Sequence, residues 1–330
     1  MGILDLVKSE TAEHLTPAPG PAARAITAVT ARVSRFVRER GWLLLSLGLL
    51  TFGFWYEGRT SAIESLVLSN CASSLKYAVR PGPSDRIVFP RTGPVDLERG
   101  YGRLPELARR LDSRGFRLTE QARFSPALAL AARFGVSPPY REPSVTGLVI
   151  RGSGSDLLYD ATARARHFSS YEDIPPIVVR TLVFMENREL EGSFDPRRNP
   201  AVDWGRFGKA TLSYAGSLVG LGSRLEGGST LAVQLEKYRH SENGETGSPI
   251  DKLRQIASAS LRVYRDGRDT REPRKEIMLD YLNSMPLAAA PGKGEVHGLG
   301  EGLRTWFDLD PSRAWRALDR PRTTRRRRSR

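Results

Sequence analysis

Residues 41–56, GWLLLSLGLLTFGFWY, form one continuous run without a charge. Such a stretch must leave water, so it enters either a bilayer or a protein core. The run is short of the roughly 20 residues a spanning helix wants. Arg40 and Glu57 bound it, although a long cationic side chain can snorkel to the interface. Trp42, Trp55 and Tyr56 stand at its two ends, where interfacial aromatics belong. Arg32, Arg35, Arg38 and Arg40 precede it, which by the positive-inside rule places the N-terminus in the cytoplasm. About 40 residues precede the run and no clear small-residue cleavage site follows, so it does not read as a cleaved signal. The expectation is a single-pass anchor over 41–58, a flexible leader over 1–40 and a main domain outside the cytoplasm. The competing reading is a buried core helix.

The net charge of +14 suggests a nucleic-acid partner until it is located. Residues 313–330 hold nine Arg against one Asp, which is +8 of the +14. A terminal run such as Arg325-Arg326-Arg327-Arg328 reads as a solvated tail, and residues 311–330 are expected to be a basic disordered end. No aromatic-rich basic motif accompanies it, so no nucleic-acid partner is expected. The single cysteine, Cys71, excludes a disulfide framework and a cysteine-built metal site. The four histidines are scattered, without an HExxH-type pair.

Residues 59–80 continue as a helix or stalk, and "RPGPSDRIVFPRTGP" breaks into turns and a short strand. "LPELARRLDSRGFRL" has helical spacing in Leu104, Leu107, Ala108 and Leu111, with Gly115 as the stop. "SPALALAARFGVSPP" makes a second short helix. Residues 59–140 thus read as a stalk and a small α/β accessory module. "SVTGLVIRGSGSDLLYD" reads as strand, turn and strand, and from Ile174 to about residue 307 helical patterns dominate.

Four of those helical segments carry polar residues of interest. After Pro175-Pro176, Val179, Leu182 and Val183 follow an i, i+3, i+4 stripe, and Glu186 stands at i+7 on it. A carboxylate on an apolar face suits a general base, because burial raises a carboxyl pKa. The plain alternative is a helix-end Glu paired with Arg188. Next, "EGGSTLAVQLEK" offers Gly227-Gly228-Ser229-Thr230 before a helical pattern. A helix start with free N–H groups is an anion cradle or simply a capped end. Gln234 shares the stripe of Leu231, Leu235 and Tyr238, and needs hydrogen-bond partners there. In "DKLRQIASASLRVYR", Leu253, Ile256, Ala257, Ser260 and Tyr264 make one face, while Lys252, Gln255, Ala259 and Arg262 make another. That second stripe is either a ligand-facing surface or a solvated face. In "PRKEIMLDYLNSMP", Ile277, Met278, Tyr281 and Leu282 read as plain core.

Taken in order, these segments resemble the glycosyltransferase family 51 domain, the peptidoglycan transglycosylase of class A penicillin-binding proteins and monofunctional transglycosylases. The family's Glu-Asp-x-x-Phe and His-x-Gly-Val-Asp motif is similar to Glu186-Asn187-Arg188-Glu189-Leu190 followed by Asn199-Pro200-Ala201-Val202-Asp203. Its Gly-Gly-Ser-Thr-x-x-Gln-Gln-Leu-x-Lys resembles residues 227–237. Its Arg-Lys-x-x-Glu falls on Asp251-Lys252-Leu253-Arg254-Gln255, and its Ile-Leu-x-x-Tyr-Leu-Asn block on residues 277–283. "GLGEGLRTWF" is similar to a further glycine-rich segment. The resemblance covers about residues 145–310.

It implies a mainly α, lysozyme-like, two-lobed domain facing the periplasm from the bacterial cytoplasmic membrane. The implied substrates are lipid II and nascent glycan strands, with other cell-wall synthesis proteins as partners. Glu186 would be the general base. Asn187, Gly228, Ser229, Thr230, Gln234, Lys237, Lys252 and Arg254 would hold donor sugar and pyrophosphate, charge stabilisation being a large term in such transfers. The family's second catalytic carboxylate falls on Gln255, which cannot ionise. Its task would pass to Lys252, Arg254 or a divalent metal ion such as Mg2+; no other cofactor is evident. Asn187, Asn199, Ala201, Val233 and Asp251 are further departures from the pattern. The resemblance also implies further helices after Trp306-Phe307, where little apolar pattern remains. These departures leave a second reading, a degenerate homologue that binds lipid II or glycan as a scaffold. A glycan hydrolase would want two catalytic carboxylates. A transpeptidase would want a Lys-Thr-Gly, which the chain lacks.

Overall fold

The computed structural model of this chain describes residues 20–84, 93–98, 101–142, 149–152, 154–160, 167–186, 190, 195–206, 208–209, 216 and 229–318. It divides into two compact units, Met1–Trp55 and Tyr56–Arg330. Helix α1, Pro21–Thr60, contains the apolar run, with Trp42, Leu45, Leu47, Leu49 and Phe54 exposed. Among the described residues no helix is long and apolar enough to cross a membrane. The expected span over 41–58 is therefore corrected to an exposed apolar segment of a longer helix. The physical reason is length and dilution: charges at Arg40 and Glu57 bound the run, and Ser46, Gly48, Thr51 and Gly53 interrupt its apolar side chains.

The second unit begins in the last turns of α1, and α2, Ala62–Ser74, follows after a break at Ser61, whose φ of 47° is left-handed. Glu57 caps α2 by accepting from the N–H groups of Ile63 (2.9 Å) and Glu64 (2.8 Å). Strand β1, Tyr77–Pro81, pairs antiparallel with β2, Glu120–Phe124, with Tyr77 opposite Phe124. Between them lie α3, Pro94–Glu98, and α4, Leu104–Asp112. Helix α4 has the expected stripe but buries no residue, leaving Leu107 and Leu111 exposed. Helix α5, Pro126–Arg133, starts at Ser125, whose hydroxyl accepts from Leu128 N–H. Leu128 then packs with Ala72, Leu75 and Leu261, joining α2, α5 and the third long helix of the core. The strand-turn-strand expected next is the antiparallel hairpin of β3, Val149–Arg151, and β4, Leu157–Asp160.

The remaining elements are helical: α6, Pro176–Met185; α7, Leu231–His240; α8, Pro249–Val263; α9, Arg271–Ser284; α10, Leu299–Phe307; and α11, Pro311–Leu318. Leu182 and Val183 of α6, Leu231, Val233 and Leu235 of α7, Ala259 and Val263 of α8, and Ile277, Met278 and Leu282 of α9 share one core. The sequence stripes of α6 and α9 are thus the buried ones. In α8 the assignment changes. Leu253 is 59% exposed, whereas Gln255, Ala259 and Arg262 of the polar stripe turn inward, so that stripe is not a solvated face. Gly298, at φ 78°, starts α10, and a Cβ there would meet Asn283 O at 2.3 Å, so glycine admits this close approach to the end of α9.

Helix α11 corrects the expectation of a tail from residue 311. Its Trp315 lies against Phe168 with ring centroids 4.6 Å apart, and one large aromatic supplies the apolar anchor that spacing alone did not reveal. Residues 319–330 lie outside the described residues.

Candidate active site

The start of α7 is a capped end first. Thr230 is extended at φ −80°, ψ 166°; its hydroxyl accepts from Val233 N–H (3.4 Å) and donates to Ala201 O (2.9 Å). Ser229 is left for other work: its hydroxyl oxygen accepts from the Lys252 ammonium on α8. Burial, and then the charge of nearby Lys237, push the Lys252 pKa below its ordinary value. The Lys252 ammonium, held on Ser229 beside the start of α7 and within range of the Lys237 charge, offers a seat for an anion, which would relieve the repulsion between the two cations. Gly228 and Asn187 lie outside the described residues.

Glu186 is the residue that ends α6, with φ −107° and ψ −51°, and is half-buried. Its N–H still bonds Leu182 O at 2.9 Å, so it stands at the last position of the stripe, where the helix ends. Gln234 Nε2 donates toward Glu186 Oε2 at 3.5 Å, and the Tyr281 hydroxyl donates to Gln234 Oε1 at 3.4 Å. Tyr281 thereby selects which end of the amide faces the carboxylate. Burial, then the Glu186 charge, push the Tyr281 phenol up to about 12; Tyr238 is shifted upward by the same two causes in the same order. Glu186 thus sits among an amide and two phenols. Arg206 reaches only the main-chain oxygen of Glu186 (3.2 Å) and pairs with Asp203 at 3.2 Å. Arg188, the expected alternative partner, lies outside the described residues.

Gln255 and Arg254 lie apart from this group. Gln255 is 5% exposed; it accepts from the Thr246 hydroxyl (3.1 Å) and donates to Ser241 Oγ (2.8 Å). Arg254 donates to Phe134 O (2.8 Å) and pairs with Asp251 (3.1 Å). Both line a cavity of about 400 Å3 together with Glu236, Ser241, Glu245 and Ser258, whereas Glu186, Ser229 and Lys252 do not line it. The structure thus brings Glu186 to Gln234 of α7 and Lys252 of α8 to Ser229 at the start of α7, and holds Gln255 by the loop after α7 and Arg254 by Phe134 and Asp251. Among the described residues no group of three or more His, Cys, Asp or Glu could hold a metal ion. The amide and phenols around Glu186 are likewise a poor donor set for a divalent cation.

Sequence reasoning missed the phenols of Tyr238 and Tyr281, which it had placed on apolar stripes. The available signal was that a buried tyrosine hydroxyl wants a partner. It also missed Asp96, Glu142, Glu236, Arg239 and His240, all ionisable and all buried or nearly so.

A comparison with curated protein sequences finds no match. Residues 155–317 match the Transglycosylase family model, against the expected 145–310, so the match extends through most of α11. Residues 155–317 thus form a transglycosylase domain, the glycosyltransferase family 51 domain that their motifs resemble.

Proposed function

We propose that this domain polymerises lipid II into glycan strands, with Glu186 as general base and lipid pyrophosphate as leaving group. The family supports glycosyl transfer in peptidoglycan synthesis with lipid II or glycan as substrate; the residue roles rest on one observation. Helix α7 carries both halves of the site, an anion seat at its start and, one turn on, the Gln234 amide directed at Glu186. In this reading the acceptor sugar hydroxyl gives its proton to Glu186 and its oxygen bonds to the donor's anomeric carbon. The bond from that carbon to the pyrophosphate oxygen breaks, and the electron pair leaves on the pyrophosphate. Lys252, Lys237 and the α7 N-terminus stabilise that developing charge. No step is routed through a metal ion.

The site proposed for this activity is the outer face of the bacterial cytoplasmic membrane. The exposed aromatic and aliphatic run in α1 supports contact with lipid, and other cell-wall synthesis proteins are the expected company. One observation favours the second reading, a lipid II-binding scaffold: Gln255 cannot ionise and is held by Thr246 and Ser241. Incubation of the purified protein with lipid II in detergent, followed by gel separation, tests both. Polymer from the wild type and none from Glu186→Gln supports the polymerase. Tight binding without polymer from either protein establishes the scaffold.

A further inference from the structure

We propose that Asp96, Glu142, Glu236, Arg239, His240 and Arg262 form a charge-paired clamp that fixes the rotation of α7, and that His240 is a positioning residue for glycosyl transfer. The inference rests on the reading of Glu186, Gln234 and the Ser229–Lys252 pair as the active centre.

Helix α7 has ten residues and two polar faces. Gln234 and Lys237 belong to the site. Glu236, Arg239 and His240, at i, i+3 and i+4, make a second face; Glu236 and Arg239 are buried, 2% and 3% exposed, and the His240 side chain is 8% exposed. Four other parts of the fold meet this face. Arg262 of α8 pairs with Glu236 Oε1 at 2.5 Å and also donates to Tyr140 O, in the segment after α5. Asp280 of α9 pairs with Arg239 at 2.5 Å. Asp96 of α3, itself fully buried, lies 3.0 Å from His240 Nδ1. Glu142, beyond α5, lies 3.3 Å from His240 Nε2, and Glu236 Oε2 is 3.9 Å from the same atom.

Both ring nitrogens of His240 therefore face carboxylates, and only the doubly protonated imidazolium offers a proton to each. Burial opposes that charge; the hydrogen bond to Asp96 and the close Glu142 and Glu236 carboxylates outweigh it and raise the pKa to about 9. The backbone is fitted as closely as the charges. A Cβ on Gly93, just before α3, would stand 1.9 Å from Arg239 O, so only glycine admits α3 at this distance from α7.

An apolar core could be as stable as such a network, but it would tolerate more than one rotation of a short helix. Paired charges have one arrangement. A rotation of roughly 20° would move a side-chain tip about 7 Å from the axis by about 2 Å. A misplacement of about 1 Å at a reacting group costs on the order of 100-fold in rate. Holding Gln234 and Lys237 is thus a task large enough to justify burying this many charges.

The test is Asp96→Asn in the full-length protein, which keeps the shape and removes the charge. Initial rates of lipid II polymerisation are measured against substrate and pH, with melting temperature in parallel. The expected result at about pH 8.5 is a fall in kcat of about tenfold or more with KM within about twofold. The rate should recover near pH 6, where His240 binds its proton without Asp96. A loss from simple unfolding would track the melting temperature at each pH. That pattern, or wild-type rates at every pH, overturns the clamp. If Glu186→Gln polymerises normally, the active-centre reading fails instead. If Glu186→Gln is inactive and Asp96→Asn is wild type throughout, the clamp fails while the active-centre reading stands.

Discussion

The charge on His240 makes a quantitative demand on stability. Its pKa rises from an ordinary 6.5 to about 9 in the folded protein, because Asp96, Glu142 and Glu236 outweigh its burial. Between those values the native state holds a proton that the unfolded chain releases. A raised folded pKa contributes stability that is complete below about 6.5 and is lost as pH rises through about 9. At 1.36 kcal/mol per unit, the loss over that window is about 3 kcal/mol. Urea unfolding followed by tryptophan fluorescence at about pH 6, 7.5 and 9 measures it, with His240→Gln as the reference. The variant should be less stable than the wild type at pH 6, because three carboxylates lose their cation, and the gap should close by about 3 kcal/mol toward pH 9. Other groups that titrate in the window cancel in the difference between the two proteins. Parallel pH profiles would refute the argument, since they would mean that His240 is not the group gaining the proton.

Two further outcomes follow from the start of α7. Thr230→Ala removes both the cap to Val233 and the bond to Ala201, and should cost about 2 kcal/mol in urea unfolding, most of it recovered by Thr230→Ser. Lys252→Met should lower the polymerisation rate by on the order of 100-fold while leaving the melting temperature near that of the wild type, and Lys252→Arg should retain part of the rate because it keeps the charge.

The helices α6, α8 and α9 were legible because their apolar residues recur at helical spacing, and the residues that bury them lie within the same repeats. The cap at Thr230 was legible because capping is local. What spacing could not show was any pairing across the chain. Asp96 and His240 are 144 residues apart, and Arg262 and Glu142 are 120 apart. In sequence each is an ordinary surface residue, and only tertiary packing turns them inward. The polar stripe of α8 stayed open between two readings for the same reason: Arg262 and Gln255 turn inward because partners arrive from α7, from the loop after it and from the segment after α5. The short apolar run of α1 was legible as a helix, but its capacity to span a bilayer depends on length, and there it falls short.

The substitution of Gln255 for a carboxylate is the departure that most invites repair, and the structure argues that repair would fail. The Gln255 side chain is anchored by the Thr246 and Ser241 hydroxyls and lines the cavity with Glu236, Glu242, Glu245 and Asp251. The Arg254 guanidinium in the same wall is already paired with Asp251. Gln255→Glu would therefore bring a carboxyl into a place that is 5% exposed and rich in like charge. Ser241 could turn its hydroxyl to donate, so the local shape would survive, but the ionised form would be disfavoured. The expected cost is about 1–3 kcal/mol at neutral pH, with the melting temperature recovering as the solution is made more acidic. No gain in polymerisation should accompany it, because neither Ser229 nor Lys252 lines that cavity. Rate and melting temperature measured on the same preparation decide the matter. A rise of about tenfold in rate would mean that the residue reaches the leaving group after all, and that the placement of Gln255 with the loop after α7 is wrong.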